Sequence, residues 1–431
     1  MDNTPTTVSQ PVVFSTQTQY PLPSQKFMIP ASWRRYQLSQ LVNKALSLEK
    51  PVPFDFLVRG ELLHATLSQW CSENGVGEEE TLEIEYIESV MPPQKMSDFP
   101  HEDWVSSVSC QFQGYFLTAS YDGQIRAFDY STNLVSSTLA HSAPITSMCV
   151  IPTTTDDSTY TIATSSHDLT AQITQINLEM PSSSKALASL HLHTAPVSSI
   201  STDTSGTHLL TSSWDGLIGL WDTTVPASDE VPEPTPNERD RKKRRRVENA
   251  AKPKRKAPLL VLKSHTARVS KVLFPSGTEE KKAYSCGFDS TVRRWDTEHG
   301  ICEHTINASE KPFLDLALTS DGNSALAVST DRTLTLFDLR TSGLTASSAT
   351  FHHPATPSCV VPCESNSYQV VTGAYDGVVR VWDVRSTKSA MATFKAWDGQ
   401  QKVLDVDWKH GIVGVGGEGG LEVWKVGEEK A

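Results

Sequence analysis

Five histidines in this chain of 431 residues each precede an aspartate by 21 to 27 residues: His101 and Asp122, His141 and Asp168, His193 and Asp215, His265 and Asp289, His353 and Asp376. Imidazole beside carboxylate is the pairing used by general bases and by oriented metal ligands. Here it recurs along the chain, whereas a catalytic or metal centre occurs once, so the pairs read as structural. A buried polar network stabilises only when each member is satisfied. Thr211 and Thr372 are the candidate hydroxyls, and Trp221, Trp295 and Trp382 the candidate indole donors. They assemble His193, Thr211, Asp215 and Trp221 into one expected network, His265, Asp289 and Trp295 into a second, and His353, Thr372, Asp376 and Trp382 into a third. No catalytic residue and no cofactor is expected elsewhere. The stretch Gly414 to Gly420 is glycine-dense, but no helix follows, and a phosphate cradle needs a helix N-terminus. Cys359 and Cys363 lack a matching second pair, so neither zinc nor a disulfide framework is indicated. One constellation is left over: Glu78, Glu79 and Glu80, following Gly77. Three adjacent carboxylates at a turn repel one another, and local stability gives no reason for them.

The elements that must hold these residues repeat. Asp215 leads in seven residues to Trp221-Asp222, Asp122 to Phe128-Asp129, Asp289 to Trp295-Asp296, Asp331 to Phe337-Asp338 and Asp376 to Trp382-Asp383. Weaker copies are Asp168 to Gln175 and Glu418 to Trp424-Lys425. The copies lie mostly ~40 residues apart, the period of a β-propeller blade. An apolar residue follows four after each His, at Val105, Ile145, Val197 and Val269, with Pro357 in the fifth case. Blades five and seven have Ser309 and Gly399 in place of the His, and blade two lacks the aromatic, so these three are expected to be less rigid. The fold class that follows is mainly β: a seven-bladed propeller over residues 101–428, preceded by a small α+β domain.

That small domain spans residues 11–89, after a polar tail, 1–10, expected to be disordered. Strand signals at 11–19 and 26–30, helical spacing from Tyr36 to Leu46 stopped by Pro51, a strand at 54–58, a helical turn at 67–71 and alternation over 81–87 give a β-β-α-β-turn-β order. This is the β-grasp order of ubiquitin-like domains. Residues 90–100 are a linker with a second role. The chain ends at Ala431 with no room for a fourth strand in blade seven, so the linker is expected to supply it and close the ring. Residues 223–257 interrupt blade three as an insertion, acidic and then basic, expected to be a disordered surface loop. Residues 239–256 hold eleven Lys/Arg and two Asp/Glu, a charge of +9, which leaves −12 − 9 = −21 on the rest. The clusters Lys242, Lys243, Arg244, Arg245, Arg246 and Lys252, Lys254, Arg255, Lys256 suit a nuclear import signal, with RNA contact the other use. No apolar stretch of signal or membrane-spanning length occurs.

The blade motifs resemble the WD-repeat family over residues 100–426. The stretches Glu49-Lys50-Pro51-Val52-Pro53-Phe54-Asp55-Phe56-Leu57, Gly60-Glu61-Leu62-Leu63, Pro92-Pro93 and Glu102-Asp103-Trp104-Val105-Ser106-Ser107, with a ubiquitin-like start and a basic insertion, narrow it. Together they resemble the WD-repeat ribosome-biogenesis factors of the PeBoW complex. Notchless, a related ribosome factor, has an eighth blade where seven are counted here. The resemblance implies a non-enzymatic scaffold of the nucleus, nucleolus and nucleoplasm that acts in large-subunit assembly and pre-rRNA maturation within the pre-ribosome. It implies the block-of-proliferation protein as partner of the propeller, pescadillo through it, and the AAA ATPase midasin as partner of the ubiquitin-like domain. It also implies a use for the acidic run, in which Glu79, with Glu78 and Glu80 as alternatives, would complete the coordination of Mg²⁺ held at midasin's adhesion site. A reading of another class, a substrate receptor of a cullin ubiquitin ligase, rests on Trp382-Asp383-Val384-Arg385 and the near copy Phe337-Asp338-Leu339-Arg340.

Overall fold

The computed structural model describes residues 8–152, 159–178, 183–232, 252–275, 281–307, 310–340 and 347–427. The chain forms two compact units. The first, which also takes in Trp382–Ala392, contains β1 (Ser9–Ser15), β2 (Lys26–Pro30), α1 (Arg35–Leu46), β3 (Phe54–Val58), β4 (Glu61–Leu62), α2 (Leu67–Glu73) and β5 (Leu82–Glu88). Its sheet runs β2-β1-β5-β3-β4, with β1 parallel to β5 and the other neighbours antiparallel, a ubiquitin-like arrangement. The alternation in β1 and β5 turns Val12, Phe14, Leu82, Ile84 and Tyr86 into one core, against Leu38 and Val42 of α1. Helix α1 starts with the Gln37 side chain accepting from the Arg34 N–H at 3.0 Å and stops at Ser47, which is left-handed at φ 52°. The Asn43 amide then fastens the exit chain, accepting from the Val52 N–H and donating to its carbonyl, both at 2.7 Å.

Strand β1 corrects the expected tail. Ser9 and Gln10 belong to β1, and Gln10 is only 2% exposed. Its polarity reads as tail in the sequence. In the fold its amide meets two backbone carbonyls, which removes the cost of burying it.

The second unit is a seven-bladed propeller. Each blade is a sheet of four antiparallel strands, and the second blade carries a fifth. The innermost strands, Val105–Ser109, Ile145–Ile151, Val197–Thr202, Val269–Leu273, Phe313–Leu318, Pro357–Pro362 and Val403–Lys409, neighbour one another in cyclic order, the last meeting the first. The apolar residues that follow the histidines, Val105, Ile145, Val197 and Val269, are wholly buried. A belt of hydroxyls joins the inner strands. Ser106, Thr146, Ser198, Ser270 and Ser358 each donate to a carbonyl of the next blade, those of Ile145, Val197, Val269, Phe313 and Val403, at 2.6–2.7 Å. The outer strand of blade seven is β6 (Gln94–Phe99). It pairs antiparallel with Gly420–Lys425, from Leu421 opposite Phe99 to Lys425 opposite Gln94.

The glycine-dense stretch lies in blade seven, and the reason for it is close packing. The Trp397 indole lies on the turn that joins Ile412–Gly417 to Gly420–Lys425. A methyl group on Gly417 would come within 2.8 Å of the ring, and one on Gly419 within 2.5 Å. Trp397 and Asp398 are left-handed at φ 44° and 57° to deliver that ring.

The insertion also departs from expectation at its base. Lys254–Lys256 is a strand, parallel to Ser184–His191, and forms the fifth strand of blade two. Lys256 is 2% exposed, its ammonium donating to Asp222 and to the Thr224 carbonyl. Arg255 donates to the Pro232 carbonyl at 2.9 Å and bonds His191 at 3.1 Å, while its N–H donates to Asp229 at 2.9 Å. So Lys254, Arg255 and Lys256 are not a disordered loop. A basic run can bury one of its members, here Lys256, when acidic and carbonyl partners face it, supplied by residues 222–232. Lys242, Lys243, Arg244, Arg245 and Arg246 lie outside the described residues. Lys256→Met should cost about 1–3 kcal/mol, discounted because Asp222 is part-exposed. Urea unfolding checks this, and an unchanged midpoint is the contrary result.

Candidate functional site: an acidic turn and an aromatic face

The acidic turn connects α2 to β5. Glu80 N–H donates to the Gly77 carbonyl at 3.2 Å, closing it. The Gln10 amide donates to the carbonyls of Gly77 at 3.2 Å and Glu80 at 2.5 Å, gripping both ends of the turn from below. Arg59, in the β3–β4 connection, donates to Glu80 at 2.6 Å and lies over the Trp70 ring at 5.9 Å. Glu78 and Glu79 are exposed at the tip. The three carboxylates expected as alternatives are all exposed but inequivalent: Glu80 is engaged by a guanidinium, and the other two face solvent alone.

The repeated histidines form networks, and not all alike. In blade three His193 bonds Asp215 at 3.2 Å and Thr211 at 2.9 Å, and the Trp221 indole donates to Thr211 at 2.9 Å. The hydroxyl accepts from the indole, so its proton goes to Nε2 and Nδ1–H goes to the carboxylate. Burial alone would raise the Asp215 carboxyl. Hydrogen bonds from His193 and from the Leu217 and Thr194 N–H groups outweigh it and hold the group below the usual range. Blade four repeats this with His265, Asp289 and Trp295 around the Ser285 hydroxyl at 2.7–2.8 Å. Blade two joins His141 to Asp168 and Thr164 at 2.8 and 2.9 Å, and Thr174 stands where the aromatic would be. Blade one differs: His101 bonds the Phe99 carbonyl and Thr118, both at 2.9 Å, while Arg126 takes Asp122. In blade six Arg380 holds Asp376 at 2.7 Å, and burial pushes His353 down to about 4. Thr372 is wholly buried and Trp382 nearly so. An Arg four residues after the turn Asp accompanies this variant without defining it: Arg293 in blade four reaches Asp289 at 3.4 Å, and His265 still bonds that carboxylate at 2.8 Å. The arginines of the Trp-Asp-x-Arg copies are both engaged: Arg340 grips Asp338 at 2.8 and 3.0 Å, and Arg385 grips Asp383 at 2.7 and 2.9 Å and Glu85 at 2.7 Å.

The residue before the turn acid is often aromatic: Tyr121, His167, Trp214, Phe288 and Tyr375. Equivalent positions share one propeller face. Trp104 packs on Tyr121 with ring centroids 5.8 Å apart, Tyr121 on His167 at 6.5 Å and His167 on Trp214 at 5.3 Å. Lys402 caps the run at Trp104, 5.7 Å away, and Arg268 at Trp214, 4.4 Å away. Trp104, Trp214, Phe288 and Tyr375 are 38–42% exposed. Large rings grouped on one surface mark a docking site more often than scattered ones do. The sequence carries this pattern directly before five of the seven turn acids, with Thr330 and Gly417 in the other two places.

A polar cavity of about 120 Å³ lies among the inner strands. Lys271 bridges to Asp315 at 3.2 Å. Asp315 accepts the Val360 N–H and Asp405 the Val108 N–H, each at 2.9 Å. Burial raises Asp405 to about 6, against the pull of Lys271 and the Val108 and Ser107 hydrogen bonds. A carboxyl whose folded value lies above its unfolded one favours the fold at low pH and loses that contribution as pH rises through about 4 to 6. Asp405→Asn keeps an acceptor for Val108 and removes a half-buried charge. It should be about 1–2 kcal/mol more stable than wild type at pH 7.5 and equal to it at pH 4. Paired thermal melts check this, and an equal difference at both pH values is the contrary result.

The NLE (NUC135) domain family matches residues 11–71, and the WD domain, G-beta repeat matches residues 94–129, 184–222 and 346–383. The chain is 72% identical to the ribosome biogenesis protein YTM1 of Laccaria bicolor, over 98% of this chain and 96% of that one. It is 65% identical to that of Coprinopsis cinerea over the same shares. Against the Saccharomyces cerevisiae protein identity is 34%, over 92% of each chain. Similarity of this extent, carried by both units, makes the chain a member of the YTM1 family of ribosome biogenesis proteins.

Proposed function

We propose that this protein is a non-enzymatic scaffold in assembly of the large ribosomal subunit and pre-rRNA maturation. Its propeller holds the block-of-proliferation protein, and through it pescadillo, on the aromatic face. Its acidic turn engages the midasin ATPase, which then removes it from the pre-ribosome. The observation that carries the second contact is a turn gripped from behind by Gln10, with Glu80 engaged by Arg59 and the Glu78 and Glu79 carboxylates facing solvent. A hard divalent cation with one open position takes an oxygen ligand at about 2.1 Å, and a carboxylate on a fixed turn supplies it at small entropic cost. The Mg²⁺ belongs to the partner. The protein works in the nucleus, nucleolus and nucleoplasm, and Lys242 to Arg246 carry its import. Lys252 sits at the start of the ordered base.

The test is capture of a midasin-type adhesion domain by the full chain. Binding in Mg²⁺ that disappears in EDTA supports the reading, and binding that persists in EDTA overturns it.

A further inference from the structure

We infer that Gln10 and Arg59 are positioning residues for the acidic turn, a reading that rests on the metal-ligand role proposed above for Glu79. Gln10 continues the inward row of Val12 and Phe14 on β1. An apolar side chain would bury equally well at this place. Among uncharged side chains only an amide can donate twice, and both donors are used, on carbonyls three residues apart at the two ends of the turn. The grip opposes a specific force. Glu78, Glu79 and Glu80 repel one another, and repulsion relaxes by opening the turn. Arg59 opposes the same force differently, by neutralising Glu80 and tying it to the Trp70 ring.

The two residues therefore act separately. Gln10 fixes the backbone, so that the tip carboxylates are presented in one geometry before the partner arrives. Arg59 decides which carboxylates stay free, by withdrawing Glu80. Neither touches the cation. Their effect is that of groups behind a metal ligand, whose loss typically costs about 10–100-fold in metal affinity.

Gln10→Met keeps the length and burial of the side chain and removes both donors. In the full chain it should weaken capture of the Mg²⁺-loaded adhesion domain about tenfold, leave the melting temperature within a few degrees of wild type and keep the EDTA sensitivity. It should also speed hydrogen exchange in the peptide spanning residues 76–82, because the turn N–H of Glu80 loses its support. Arg59→Met should release Glu80 as a substitute ligand. Glu79→Ala should then bind better in the Arg59→Met background than alone, an effect that a merely structural role for Arg59 does not produce. Binding of Gln10→Met within twofold of wild type overturns the inference for Gln10. Equal loss by Glu79→Ala in both backgrounds overturns it for Arg59. If wild type fails to bind at all, the ligand role of Glu79 falls, and the exchange experiment still decides the grip: unchanged exchange in Gln10→Met overturns it.

Discussion

A chain beginning at residue 101 should unfold far more easily than one beginning at residue 89, although the two differ only by the linker and β6. The longer chain keeps Gln94–Phe99 against Gly420–Lys425, and the shorter one leaves that strand an open edge. Phe99 is 1% exposed, its ring 5.0 Å from Phe128 and 5.8 Å from Phe116. Losing a buried Phe costs about 3–5 kcal/mol. Lys95 lies 2.6 Å from Glu422, which is 1% exposed, so truncation also removes this partner and leaves the carboxylate to the Trp397 N–H and the Trp424 indole, at 3.2 and 3.0 Å, a further cost of about 1 kcal/mol. The sum reaches the lower end of the whole stability of a typical domain. The shorter chain should therefore aggregate or melt at least about 15 °C lower. Phe99→Ala in the full chain should show about half the effect. Matching melting temperatures for the two truncations would show that β6 is dispensable.

The second large effect concerns binding alone. Glu79→Ala should lower affinity for the Mg²⁺-loaded adhesion domain at least about 100-fold, or about 2.7 kcal/mol, with no change in melting temperature. Its carboxylate faces solvent at the tip of the turn, so its removal costs the fold nothing. Glu79→Gln should lose most of this affinity too, since an amide oxygen is a weaker ligand for a hard cation. Glu79→Asp should lose part of it, being one methylene shorter. Glu80→Ala should lose less, because Glu80 is occupied with Arg59. The informative comparison is rank order by titration. A chain in which Glu80→Ala is the worst of the set would move the ligand role to that residue.

The blade networks were legible because they are local. His193, Thr211, Asp215 and Trp221 lie within 28 residues of one another, and their spacing survives repetition. The turn acids paired with Arg were equally local, at Arg126, Arg293 and Arg380, but an arginine on a strand reads as surface until its partner is seen. Contacts between distant stretches left no such trace. Gln10 meets a turn 67–70 residues away, and Lys256 meets Asp222 across the insertion, so each reads by its own polarity as tail or loop. In both cases the partner, and not the residue, decides burial. The acidic run stood out in sequence, while the difference between Glu80 and its neighbours is set by Arg59, 21 residues upstream.

The pairing of β6 has a mechanical consequence. The six residues Gln94–Phe99 are the lock of the ring and also the first stretch of propeller reached along the backbone from the N-terminal unit. Tension applied to the chain ahead of residue 94 and carried along the backbone meets this ladder. It loads the pair Gln94 and Lys425 first and the Phe99 anchor last. A pull on the handle is thus a pull on the latch, and the load at which the ladder gives way sets the largest force that the ring can transmit without opening.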